Sequence, residues 1–241
     1  MEQKELNDAL IKFARFNMTK EVAKCLELGA DINIYNSEAL RRGAENGHTE
    51  TVKFLLDNGA DIHAEDDYAL RCAANNGYTE IVKLLLDNGA NVHSDYYSAL
   101  KCAVESGYTE IVKLLLDNGA NIHVGDNYIL GLAISRNQIE TAKLLLQNGA
   151  DIHVWDDHAL RWAALYGHTE TVKLLLENGA DIHANGDWAL RGAAESGQTE
   201  TVKLLLDNGA DVHACDDGVL TDISDNGHIE IVELLKNYSK K

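Results

Sequence analysis

The chain has 241 residues, and its 21 Lys and Arg against 39 Asp and Glu give a formal net charge of −18. A field of that sign repels phosphate backbones and anionic lipid heads, which excludes nucleic acid and membrane surfaces as favoured partners. The opening MEQKELNDAL lacks the apolar run of a signal peptide, and no later segment approaches the roughly 20 apolar residues that span a bilayer, so a cytoplasmic protein is expected.

In chain order the residues spell one thirty-residue unit eight times, without a gap from Ala9 to the last predicted helix. Leu10, Leu40, Leu70, Leu100, Leu130, Leu160, Leu190 and Leu220 form one column. Gly29, Gly59, Gly89, Gly119, Gly149, Gly179 and Gly209 form another, each followed by Ala, then Asp or Asn, then Ile or Val. The stretch GYTEIVKLLLDNGAN recurs unchanged from Gly77 to Asn91 and from Gly107 to Asn121.

Within a unit, Leu70, Ala73 and Ala74 stand at i, i+3 and i+4, the spacing of a short helix with one narrow inward stripe. Gly77 ends it, as do Gly47, Gly107, Gly167, Gly197 and Gly227. Asn17 and Asn137 take that place in two units, and Asn is the next best residue for a left-handed cap. A second helix follows, as in Glu80 to Asn88, with Val82, Leu85 and Leu86 on its buried face and Gly89 as its stop. Helices of about two turns do not stand alone in water, so stacking on neighbours must supply the stability. The end units carry polar substitutions that suit such a stack: Lys24 in the first, and Asp222, Ser224 and Lys236 in the last.

Across NGHTETVKFLLDNGADIHA, from Asn46 to Ala64, the chain resembles the helix-two and loop portion of an ankyrin repeat. Seven copies of the GA[DN][IV] corner extend the resemblance over essentially the whole chain. It implies an all-α fold: one ankyrin-type α-solenoid over residues 1–241, of eight stacked helix pairs with shortened inter-repeat loops. The N-terminal capping repeat would cover about 1–33, the internal repeats about 34–213 and the C-terminal capping repeat about 214–241. Ankyrin repeats usually run 33 residues and open helix one with T-P-L-H-x-A. Here YALRCA and HALRWA stand in that place, three residues are missing before helix one, and the chain has no Pro. The projecting β-hairpin fingers should therefore be clipped to simple loops. Arg or Lys replaces the motif His at Arg41, Arg71, Lys101, Arg161 and Arg191. Thirty-residue repeats of this style are similar to those in large arrays of giant amoeba-infecting DNA viruses, which implies a host protein as partner and the host cytoplasm as location.

His63, His93, His123, His153, His183 and His213 share a column with Asn33. Stacked helices lie about 8 to 10 Å apart while Zn–N bonds are about 2.0 to 2.1 Å, so a metal ladder is disfavoured and a corner-fixing role is expected. The resemblance adds Asn33 as a possible hydroxylation site. Cys72 and Cys102 share a column too, at a spacing that argues for free thiols. Acidic loops such as Glu65 to Asp67 read as solvated. No phosphate loop, HExxH or nucleophile constellation is present, so no enzyme activity and no cofactor are expected.

The aromatic residues are unevenly placed. All three tryptophans fall within units six and seven: Trp155, Trp162 and Trp188. His158, Trp162 and Tyr166 follow one helix face off the core stripe, and Tyr68, Tyr96, Tyr97 and Tyr128 extend the stripe toward the N-terminus. Trp, Tyr and Arg are enriched at binding hot spots, although rings that fill gaps left by the short loops would look the same. The expected function is a non-enzymatic, monomeric protein-binding module that uses a concave aromatic face. Arg161 and Arg191 would pair with carboxylates of a partner of basic or mixed surface. A structural or self-assembly spacer is the alternative.

Overall fold

A computed structural model describes residues 2–93, 99–123 and 128–240, so Tyr96 and Tyr97 lie outside the described residues. Two compact units, residues 1–125 and 126–241, each hold four helix pairs. The first carries α1 (Gln3–Arg15), α2 (Thr19–Glu27), α3 (Ile34–Glu45), α4 (Thr49–Asp57), α5 (Ala64–Asn75), α6 (Thr79–Asp87), α7 (Ala99–Ser106) and α8 (Thr109–Asp117). The second carries α9 (Tyr128–Ser135), α10 (Ile139–Gln147), α11 (Val154–Leu165), α12 (Thr169–Glu177), α13 (Ala184–Glu195), α14 (Thr199–Asp207), α15 (Asp217–Asp225) and α16 (Ile229–Tyr238). A 3₁₀ turn, Val212–Ala214, precedes α15, and no strand is found among the described residues.

Within each unit the helices form two layers. In the first, α1, α3, α5 and α7 pack in succession, and α2, α4 and α6 pack forward onto α4, α6 and α8. In the second, α9, α11, α13 and α15 make one layer and α10, α12, α14 and α16 the other. Leu10, Leu40, Leu70, Leu100, Leu130, Leu160 and Leu190 are all buried in the first-helix layer. Leu220 is only half-buried. Val52, Val82, Val112, Val172 and Val202 are fully buried in the second-helix layer. With each residue of this kind contributing about 1.5 to 3 kcal/mol on burial, the columns carry the fold.

The helix ends behave as the cap residues predict. Gly77 has φ +79°, and Asn17 and Asn137 take the same left-handed conformation at φ 57° and 53°. At Gly77 a second constraint operates: a Cβ would stand 2.5 Å from the Tyr108 ring of the next repeat. Gly47 meets Tyr78 in the same way, at 2.7 Å.

Candidate functional site

The shortened connections form a specific structure. In four repeats, three successive residues are left-handed: Tyr35–Asn36–Ser37, Glu65–Asp66–Asp67, Trp155–Asp156–Asp157 and Asn185–Gly186–Asp187, all with φ between 50° and 65°. Such a run costs about 1 to 2 kcal/mol per ordinary residue, which suits the Asn, Asp and Gly at most of its positions, while Tyr35, Ser37, Glu65 and Trp155 bear the cost. Two side-chain columns hold it in place.

One column is the arginines. Arg161 donates from Nε to the Asp156 carbonyl (3.1 Å) and from Nη2 to the Trp155 carbonyl (2.8 Å). Arg41 does the same to Asn36 and Tyr35, at 3.0 and 2.8 Å. Arg71 and Arg191 reach the first of the two carbonyls, on Glu65 and Asn185. The guanidinium fork spans two adjacent carbonyls that a single ammonium could not. Arg161 and Arg191 are thus engaged in their own turns, and fewer of their donors face outward than their place in the sequence suggests.

The other column is the third turn residue. Asp67, Asp157 and Asp187 are buried, not solvated as the acidic loops suggest. Each accepts the backbone N–H at the corner of the following repeat: Asn91 on Asp67 at 2.8 Å, Asp181 on Asp157 at 3.0 Å, and Asp211 on Asp187 at 2.8 Å. Asn7 serves Asp31 and Ser37 serves Asp61 in the same way. The imidazoles of His63, His153 and His183 reach these carboxylates through Nδ1 at 3.1 to 3.2 Å. His63, His153 and His183 thus help to fix their corners, and no group of His, Cys, Asp or Glu suited to a metal occurs among the described residues. Asn33 fills the same role: its Oδ1 accepts from Ser37 Oγ and from the Asp61 N–H, and its Nδ2 donates to Gly59. All four cysteines are free thiols, and burial pushes that of Cys215 up to about 11.

The second unit brings most of the expected aromatic residues together. Ring contacts run from Tyr128 to Trp155 (centroids 6.3 Å), Trp155 to His158 (5.7 Å), His158 to Trp162 (4.8 Å), Trp162 to Tyr166 (5.7 Å) and Tyr166 to His168 (5.9 Å). Trp155 is 52% exposed, Tyr166 49% and Tyr128 41%, whereas Trp162 is half-buried within the run. Burial, together with Arg161, holds the His158 imidazole below its usual range, and burial does so for His168. Trp188 stands apart: its ring covers Gly192, whose Cβ would lie 2.9 Å from it, and Arg161 sits 5.6 Å above its face. In the first unit two guanidinium groups stand over the Tyr68 ring, Arg41 at 5.5 Å and Arg71 at 5.4 Å from its centroid.

The family model for ankyrin repeats in three copies matches residues 63–126 and 130–216, and that for a single ankyrin repeat matches 39–67. The chain belongs to the ankyrin-repeat family. Among solved structures, the human ASB11 ankyrin repeat domain is similar at 27% sequence identity and a TM-score of 0.70, covering 81% of this chain and 96% of that one. No curated protein matches the chain in sequence. Ankyrin repeats are protein–protein interaction modules, and in this ankyrin-repeat protein four of the described connections, where hairpins usually project, are left-handed turns held by Arg and by Asp or Ser. The rings of Trp155 and Tyr166 are about half exposed. No described helix is long and apolar enough to cross a membrane.

Proposed function

We propose that this protein binds a partner protein through the aromatic surface of its second unit, centred on Trp155, Trp162 and Tyr166, and that it acts as a monomer without catalysing a reaction. The observation that carries this reading is the continuous run of ring contacts from Tyr128 to His168, three of whose members are about half exposed. The Leu and Val columns account for the stacking, and the Arg and Asp columns account for the turns. Large rings outside all four columns have the size and placement of interface anchors. The charge of −18 favours a partner with a basic or mixed surface. The likeness of the thirty-residue repeats to viral arrays points to a host protein.

Affinity capture from cells, with mass spectrometry, tests this reading. A partner retained by the wild type and lost on Trp162→Ala supports it, with light scattering giving a monomer before capture. Retention of the same partners by Trp162→Ala and Tyr166→Ala would place the interface elsewhere. Concentration-dependent oligomers would favour an assembly role.

A further inference from the structure

The corner between α1 and α2 departs from the repeat pattern at four registers at once. Lys20 stands where the seven other repeats carry Glu, from Glu50 to Glu230, and Arg15 where four of them carry Glu or Asp. Phe16 stands where five of them carry Asn or Ser, and Lys24 where all seven carry Leu or Phe. Lys24 adds polarity, as the outer face of a capping repeat requires. Phe16, 60% exposed, and Met18, 38% exposed, do the opposite. Lys20 works against its own helix: α2 begins at Thr19, and its first turn is where the dipole favours the carboxylate that the other repeats place there. Lys12, Arg15, Lys20 and Lys24 are all exposed, and in a chain with 39 carboxylates none of the four forms an ion pair among the described residues.

We propose that this corner is a second binding surface, separate from the aromatic surface of the second unit, and that it takes an acidic segment of a protein. The carboxylates of the segment pair with Arg15 and Lys20, flanked by Lys12 and Lys24, and an apolar side chain of the segment covers Phe16 and Met18. The chain brings these groups together because Phe16, Asn17 and Met18 alone join α1 to α2. Lys12 lies one helical turn before Phe16, and Lys24 one turn after Lys20. The Arg15 guanidinium stands 5.8 Å over the Phe16 ring centroid, so cation and ring already adjoin. Charge complementarity selects the occupant. Residues 12–24 hold four cations and one carboxylate, Glu21, within a chain of net charge −18. A cationic spot of that size attracts a short acidic segment, whereas the field of the whole molecule repels a long polyanion such as nucleic acid. Exposed ion pairs are weak singly, so the apolar contact on Phe16 and Met18 is required as well, and it favours a peptide over a phosphate backbone.

The test titrates the ¹⁵N-labelled full chain with the capped hexapeptide Glu-Asp-Leu-Phe-Asp-Glu and follows backbone amide shifts by NMR. The comparisons are Gln-Asn-Leu-Phe-Asn-Gln, which lacks the charge, Glu-Asp-Ser-Ser-Asp-Glu, which lacks the apolar pair, and a short DNA duplex. Saturable shifts centred on residues 15–20 are expected, with the acidic apolar peptide bound about tenfold tighter than each comparison. The double variant Arg15→Glu, Lys20→Glu restores the residues that other repeats carry. It should weaken binding about tenfold or more while the thermal midpoint stays level or rises, because Glu suits the first turn of α2. Phe16→Asn, also a residue of other repeats, should weaken binding with the fold intact. Equal binding of the uncharged or the serine peptide, tighter binding of the duplex, saturable shifts elsewhere only, or no saturable shift would overturn the proposal. Concentration-dependent oligomers by light scattering that are lost on Phe16→Asn would assign the corner to a second copy of the chain and overturn it too.

Discussion

Asp187 ties one repeat to the next: its buried Oδ1 accepts the backbone N–H of Asp211, 24 residues on, at 2.8 Å. The same carboxylate ends a left-handed turn and takes a contact from His183 Nδ1 at 3.1 Å. Asp187→Ala would leave the Asp211 N–H without its acceptor and the turn without its anchor. A loss of about 1 to 3 kcal/mol is expected, with Asp187→Asn, which keeps an acceptor and the left-handed preference, losing less. Urea denaturation of the two variants checks this; equal midpoints would remove the carboxylate from the account of stacking.

The His183 contact has a pH signature. Its hydrogen bond to Asp187, then the charges of Asp187, Asp181 and Asp211, raise its pKa above the ordinary histidine value despite slight burial. A folded-state value above the unfolded one means the contribution is fully present below about pH 6.5 and is lost as pH rises through the raised value. Proton NMR should find the His183 midpoint above that of an unfolded-chain histidine, and Asp187→Asn should bring it down. The stability difference between wild type and His183→Gln should shrink from about pH 5.5 to about pH 8.5; a difference that grew would contradict the assignment.

Two glycines separate conformation from contact. Gly77 and Gly89 are both left-handed, at φ +79° and +91°, but a Cβ meets Tyr108 at 2.5 Å on the first and open space on the second. Gly89→Ala should cost about 1 to 2 kcal/mol, the conformational penalty alone, and Gly77→Ala clearly more. The double variant Gly77→Ala, Tyr108→Ala should recover part of the excess. Equal costs for the two single variants would mean the ring moves aside freely.

The stacking was legible in the sequence because it is periodic in residues with one physical meaning: the Leu column is buried from Leu10 to Leu190, and Gly and Asn end the helices left-handed. The absence of hairpin fingers among the described residues agrees with the missing Thr-Pro. What the loops became did not. Asp67 and Asp157 look like solvated acids, since only a backbone trace shows that three left-handed residues turn the last one inward. Their signal was present as Asn7, Ser37, Asp67, Asp157 and Asp187 at one register, a column of short hydrogen-bonding side chains. The arginine column was visible, but its carbonyl partners lie five and six residues earlier, within a turn whose geometry the sequence did not reveal. The aromatic run of the second unit could be foreseen along α11, where i and i+4 spacing joins His158, Trp162 and Tyr166. Its extension to Tyr128 depends on packing between repeats.

The central claim, that the rings of the second unit bind a partner while the columns hold the fold, is tested most directly by comparing Trp162→Ala with Leu160→Ala. Leu160 is fully buried and Trp162 half-buried, two residues apart on α11. Partner affinity by calorimetry and the denaturation midpoint would be measured on both variants. The account predicts that Trp162→Ala weakens binding by about 2 kcal/mol or more with a small shift in midpoint, while Leu160→Ala lowers stability by about 2 to 5 kcal/mol. Unchanged affinity in Trp162→Ala, or unfolding as severe as that of Leu160→Ala, would contradict it.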